Sequence, residues 1–413
     1  MLRILHTADW HLGQTFFGYD RTLEHQHFLS WLKTQLVEKK IDALLISGDV
    51  FDVSNPSSAS QRQFYEFLRE CLELSPDLQI VIIAGNHDSA SRLEVPQPLL
   101  DENQVMIRGL IPKKEGVIDY DSLILDLKNK EGEVEALCLT VPFLRQGDYP
   151  PVPQAKNTYV EGVEAFYKAL IQEAKQKKEP HQALIIMGHL HTLSAEVAAK
   201  DHSERIIIGG LEQVSPTIFT DDIAYVALGH IHKAQRVAGS EQIRYAGSPL
   251  PLSFAEQHYK HGVVEVVVDK GKLISLNKLL YDPLIHLLSI PTKGVASPEV
   301  ILEELQQLPD ATEDIALYPY LEIHVLQKEP EPLLKNKIET LIEQKAVRLA
   351  RILSHFEQKK QESEEESVWV GLEERSPMDV ANLYYESIYG VAMPQELQQL
   401  FHEVCASLSN KEN

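Results

Sequence analysis

Five short apolar runs in this chain end alike, and that repetition limits the fold more than any other feature. "RILHTADWH" ends in Asp9 and His11, "ALLISGDVFD" in Asp49 and Asp52, and "IVIIAGNHD" in Asn86, His87 and Asp88. "ALIIMGHLH" ends in His189 and His191, and "YVALGHIH" in His230 and His232. Short unbroken apolar runs read as strands buried on both faces. The segments 21–40 and 57–73 read as amphipathic helices, with Leu23, Phe28, Leu29, Leu32 and Leu36 on one inner face and Phe64, Phe67, Leu68 and Cys71 on the other. Buried strands separated by helices predict a layered α/β domain. Ligand sites in such sheets lie beyond the carboxyl ends of the strands, so the polar endings are expected to meet. In extended backbone, residues i and i+2 point the same way, which would aim Asp9 with His11 and His230 with His232. Gly48, Gly85, Gly188 and Gly229 stand just ahead of these groups and would let the backbone turn tightly.

The rest of the chain divides by pattern. "AQRVAG" with "QIRYAGS", and "GVVEVVVD" with "KLISLNKLL", read as β pairs, the second a hairpin around Asp269–Gly271. This predicts a first domain over 1–280. A small α+β unit is expected over 281–355, with strands at 284–291, 320–327 and 346–353 and helices at 297–307 and 331–344. A charged stretch without apolar periodicity, 356–375, reads as a linker. In 376–413, Ser376, Pro377 and Asp379 fit a helix start, Val380, Leu383, Tyr384 and Ile388 form an apolar stripe, and a last helix is expected from Pro394 to Leu408. Two such helices have too little surface for a core of their own and are expected to dock on something.

The donors at the run ends are imidazoles, carboxylates and one amide. That mixture suits Mn²⁺, Fe²⁺ or Zn²⁺ better than an all-oxygen Mg²⁺ or Ca²⁺ site, and it exceeds the needs of one tetrahedral ion. Two cations about 3.5–4 Å apart would use it, clamping the attacking and leaving oxygens of an in-line phosphoryl displacement. The three cysteines, Cys71, Cys138 and Cys405, are far apart, which excludes a disulfide framework and fits a reducing cytoplasm. No apolar run reaches the length of a membrane span, and the N-terminus reads as a strand and not as a signal peptide. A formal charge of −22 repels nucleic acid on average and argues against a simple DNA-coating protein, but it does not exclude an enzyme that meets phosphate through bound cations and one local basic surface, or one whose partner supplies the positive charge. His6, His25, His27 and His258 read as packing or surface groups, as do Ser248, Pro249 and Phe254. Arg92 and Arg145 read as solvated surface cations. His191 reads as a supporting or surface residue.

"ADWH", "SGDVFD", "AGNHDS", "GH" and "GHIH", in this order, resemble the calcineurin-like metallophosphoesterase superfamily. Within it, "HTADWHLGQ", "GDVFD" and "YAGSPLPLSFAEQ" resemble the SbcD family of nuclease subunits. The resemblance implies a layered β-sandwich flanked by helices, a small capping domain that shapes DNA access, and C-terminal helices that dock on the coiled-coil base of an SbcC-type, SMC-like ATPase. It implies that Asp9, His11 and His232 hold one metal, Asn86, His189 and His230 a second, and Asp49 both. It implies that His87 is a non-ligand acid at the leaving 3′-oxygen, supported by Asp88 and by Asp52, which would help position the DNA or His87. The implied activity is a Mn²⁺-dependent DNA endo- and exonuclease acting on duplex ends and hairpins in repair and recombination. The implied assembly is a homodimer within a heterotetramer, cytoplasmic and nucleoid-associated, with the helix over 57–73 and the segment past Ser91 as its dimer surface. A generic small-molecule phosphoesterase would use the same site and stays open on the residues alone, and a non-catalytic scaffold would be expected to have lost ligands.

Overall fold

The computed structural model describes residues 1–100, 104–195, 213–312, 315–329, 331–356, 377–389, 391–394, 397–398 and 401. The chain separates into two compact units, Met1–Ile285 and His286–Asn413. In chain order the first holds β1 Leu2–Thr7, a ribbon of β2 Thr15–Phe16 and β3 Tyr19–Asp20, α1 Thr22–Glu38, β4 Ala43–Ser47, α2 Ser58–Leu74, β5 Gln79–Ile83, α3 Ala90–Glu94 and β6 Val105–Arg108. A second ribbon follows, β7 Lys113–Lys114 and β8 Val117–Ile118, then β9 Ile124–Lys128, β10 Val134–Thr140, α4 Thr158–Lys177 and β11 Ala183–His189. The unit closes with β12 Tyr225–Gly229, β13 Gln235–Val237, β14 Ser240–Tyr245, β15 Gly262–Asp269 and β16 Lys272–Leu280.

Two six-stranded sheets run in the orders β16-β15-β1-β4-β5-β6 and β13-β14-β12-β11-β10-β9. Their inner faces share one core, in which Ile4, Leu45, Val81 and Ile83 meet Cys138, Ile185, Met187 and Ala227. The outer face of the first sheet packs Leu5, Leu44 and Ile46 against Phe28 and Leu32 of α1 and Phe64 and Phe67 of α2. The outer face of the second packs Leu137, Leu139 and Ile186 against Phe166 and Leu170 of α4. A strand buried on both sides has no polar position to spare, which is why β4 and β11 are uninterrupted apolar runs until their last residues.

Some of this was not legible in periodicity. The stretch between residues 104 and 180 supplies β6, β9, β10 and α4. The start of α4 is marked by Asn157, whose side chain accepts from the Tyr159 and Val160 amides at 3.1 Å each. In α1 the inner stripe omits Leu23, which is 43% exposed, and includes Glu24, paired with the buried Arg21 through two bonds of 3.0 and 2.8 Å.

The second unit runs β17 Leu287–Ile290, α5 Pro298–Gln306, β18 Tyr320–Gln327, α6 Leu334–Ile342 and β19 Arg348–Phe356. Each helical crossover returns the chain in the same direction, so the sheet β17-β18-β19 is parallel throughout. Its helices cover one face through Ile301, Leu305, Ile338 and Ile342. A last helix, α7, spans Pro377–Tyr389. Of the linker expected over 356–375, Phe356 ends β19 and the rest lies outside the described residues, as do the helix-start residue Ser376, the side chains of Val380, Leu383 and Ile388 and most of the helix expected from 394. No helix among the described residues is long and apolar enough to cross a membrane.

Candidate metal centre

The site is built from the ends of β1, β4, β5, β11 and β12, which the two sheets bring together. Asp9 and His11 do reach one point, but not by strand alternation. β1 stops at Thr7, and Asp9, His11 and Asp49 all take left-handed backbone, with φ of 54°, 48° and 50°. Their loops lie side by side instead: the Asp9 amide donates to Gly48 O and the His11 amide to Asp49 O, each at 3.0 Å. The glycines also act differently from expectation. Only Gly48 of the four has positive φ. At Gly85 the reason is space, since a Cβ there would stand 2.1 Å from Asp49 Oδ1.

Around these loops the donors gather. His189 Nε2 lies 3.3 Å from Asp49 Oδ2 and 3.0 Å from Asn86 Oδ1. His230 Nδ1 lies 3.0 Å from the same Asn86 oxygen, and the His230 amide donates to Asp9 Oδ1 at 2.9 Å. His11 Nε2 is 3.7 Å from Asp49 Oδ2, and the His11 and His232 rings stand 5.2 Å apart. Asp9, His11 and His232 can offer atoms to one ion, and so can Asp9, Asp49 and His189. A third such group, His11, Asp52 and His87, includes the residue read as a non-ligand.

Several imidazoles are held from behind by an acceptor. His189 Nδ1 bonds Ser47 O at 2.8 Å, His11 Nδ1 lies 3.2 Å from Asp52 Oδ1, and His232 Nδ1 bonds Glu256 Oε1 at 2.9 Å. A carbonyl or carboxylate can only accept, so each ring nitrogen facing one carries the proton and its opposite nitrogen is free to donate electrons inward. Glu256 was missed from sequence: it lies in "YAGSPLPLSFAEQ", 24 residues beyond His232, and nothing local ties the two. It is fully buried and also accepts from the Leu252 amide at 2.9 Å.

The residues fit divalent cations. Among the described residues, Asp9 Oδ2 and His11 Nε2 are buried without a hydrogen-bond partner. The inward nitrogen of His189 faces two acceptors, an arrangement that needs a proton or a metal between them. Without metal the proton takes that place. Burial works against a charged ring, but the Asp49 and Asp9 carboxylates hold the His189 pKa up at about 9. Burial likewise opposes ionisation of Asp49, and His189, His11 and His87 overcome it, keeping its pKa well below the usual carboxylate range. Burial, with His189 adjacent, keeps His230 well below the usual imidazole range.

The remaining residues frame the site. His87 Nδ1 bonds the Asp52 carbonyl at 2.8 Å and its amide donates to Asp49 Oδ1 at 2.8 Å. Asp88 does not bond the His87 ring among the described residues. It accepts from the amides of Val50, Phe51 and Gly85 at 3.2, 3.0 and 2.9 Å, stitching the two central loops together. Its burial and the nearby Asp49 charge raise its pKa to about 6. Arg145, read as a solvated cation, bonds Gly85 O and Asp88 O at 3.4 and 3.2 Å, bracketing Asn86 and His87. Arg92 is exposed and donates to Asn55 Oδ1 at 2.8 Å. His191 is half-buried, its ring 6.0 Å from that of His230 and its Nε2 without a hydrogen-bond partner among the described residues.

Residues 2–234 match the calcineurin-like phosphoesterase family model. The chain belongs to that family. The family implies a hydrolase that uses divalent metals, and the donor clusters could hold such ions. Residues 283–389 match a second model, described as the type 5 capsule protein repressor C-terminal domain. The chain is 36% identical over 353 residues to the SbcD polypeptide of the nuclease SbcCD from Rhodobacter capsulatus, covering 84% of this chain and 86% of that one. It is 30% identical over 368 residues to the SbcD polypeptide of Escherichia coli, covering 87% and 86%. The protein of the same name from Bacillus subtilis is 30% identical over 289 residues, covering 68% and 69%.

Proposed function

We propose that this phosphoesterase is the nuclease subunit of an SbcCD-type complex, hydrolysing phosphodiester bonds at DNA ends and hairpins with two Mn²⁺ ions. The observation that carries the reading is the reach of its likeness to SbcD polypeptides. That likeness covers 84–87% of the chain in two relatives and so continues past the phosphoesterase core into the second unit. A small-ester phosphoesterase needs only the core.

Asp9, His11 and His232 would hold one ion, Asn86, His189 and His230 the other, and Asp49 would bridge them. Bound there, such ions neutralise charge developing on the phosphoryl oxygens and lower the pKa of water. The chain's own groups do the rest. The Asp52 carbonyl fixes the His87 ring through Nδ1, and Nε2 would stabilise or protonate the departing 3′-oxygen. Asp52, through its carboxylate, sets the His11 ring as well. Asp88 and Arg145 hold the loop that presents Asn86 and His87. The second unit would cap the site, residues 376–413 would dock on an SMC-like ATPase, and the subunit would work as a dimer at the nucleoid.

The test is Mn²⁺-dependent cleavage of hairpin DNA set beside hydrolysis of a chromogenic phosphodiester. Cleavage of both by the wild type and of neither by Asp49→Ala is expected. Hydrolysis of the small ester alone would refute the nuclease reading.

A further inference from the structure

Four cations meet at one edge of the first unit, in a chain whose formal charge is −22. At this edge β13 and β14 end one sheet and β16 ends the other. Register sets Arg244 beside Ala227 and directly opposite Arg236, and sets Lys278 beside Val264. Ala227 and Val264 belong to the core between the sheets. Register neighbours share a face, so Arg244 and Lys278 stand at the mouth of that core, one on each sheet. Lys278 Nζ also donates to the Lys260 backbone carbonyl, and the Lys260 charge acts on it, which adds a third cation.

The local charges do not cancel. Glu241 pairs with both Arg236 and Arg244. Neither Lys260 nor Lys278 has a carboxylate partner among the described residues. Like charges opposite one another in a sheet are unfavourable. The crowding is felt at Lys278, where burial, then Lys260 and Arg244, pull the ammonium pKa down to about 8. An anion laid across the edge would relieve it.

The edge also adjoins the metal centre. Ser248 N donates to His232 O at 3.0 Å, and His261 Nδ1 bonds Ser248 O at 2.8 Å. Lys260 immediately precedes His261. The path from a proposed metal ligand to the basic edge is therefore two hydrogen bonds and one peptide link long.

We propose that Arg236, Arg244, Lys260 and Lys278 form a contact for the phosphate backbone of the DNA, on the His232 side of the centre. This rests on the nuclease reading, and it supplies the local basic surface that an acidic chain needs to hold DNA.

The experiment measures duplex binding by the full chain against salt, beside chromogenic diester hydrolysis. In the double variant Lys260→Gln, Lys278→Gln, the slope of log affinity against log salt should shrink by about 2, one per cation lost. Diester hydrolysis should be unchanged, because neither residue is in the donor set. Glu241→Gln removes the competing carboxylate and should raise duplex affinity. A double variant with wild-type slope and affinity, or a Glu241→Gln that binds more weakly, overturns the contact while hairpin cleavage by the wild type leaves the nuclease reading standing. A wild type that hydrolyses the diester but neither binds nor cuts DNA overturns both.

Discussion

Glu256→Gln separates the metal centre's inner donors from what holds them. The carboxylate accepts His232 Nδ1 at 2.9 Å on one oxygen and the Leu252 amide at 2.9 Å on the other, with Ser248 Oγ at 3.4 Å. A glutamine keeps the volume but has one oxygen for two donors. If that oxygen takes Leu252, its NH₂ meets His232 Nδ1, and the ring must move its proton to Nε2, the nitrogen turned inward. If it takes His232, an amide faces an N–H in a fully buried pocket. Losing an outer partner of a ligating histidine typically costs about 10–100-fold in metal affinity, or about 1.4–2.7 kcal/mol. The unsatisfied buried donor costs about 1–3 kcal/mol of stability, which in a unit of this size lowers Tm by roughly 2–5 °C. Calorimetric titration with Mn²⁺ and a thermal melt of the metal-free protein check the two effects independently. Two Mn²⁺ bound with wild-type affinity would refute the reasoning, because His232 would then not depend on Glu256 for its tautomer.

Further expectations concern other parts of the chain. His87→Gln should retain both metals and lose most turnover; metal content falling in parallel with rate would make His87 a ligand. Arg145→Gln loses the bonds to Gly85 O and Asp88 O and should cost about 1 kcal/mol in a denaturant melt, with turnover falling further than metal affinity, whereas unchanged turnover would return Arg145 to a surface role. Lys278 has its pKa lowered from 10.5 to about 8, so between those values the unfolded chain holds a proton the folded chain has released. Stability should therefore rise with pH across that window and the rise should vanish in Lys278→Gln; parallel pH–stability curves would exclude the shift. Removing residues 376–413 should abolish co-purification with the ATPase and leave Mn²⁺-dependent activity, and retained co-purification would place the docking surface elsewhere.

Much of the site was legible because its chemistry is written locally. An apolar run that stops at Gly-Asn-His-Asp or Gly-His-Ile-His declares both a buried strand and a polar end, although the two strands lie in different sheets and only the packing of those sheets brings their ends together. The chain order of the donors and the two apolar pairs closing the first unit could be read the same way. The tertiary structure decided what depends on atoms far apart in the chain. Left-handed loops, not strand alternation, turn Asp9 and His11 inward, since their amides bond to the loop of Gly48 and Asp49. Glu256 becomes the support of His232, Arg145 leaves the surface for two carbonyls, and Asp88 serves backbone amides and not His87. Periodicity reports which face of an element is buried, but it carries no term for which distant acceptor will stand behind a ring nitrogen. That is settled only when the two sheets close and every buried donor must find a partner.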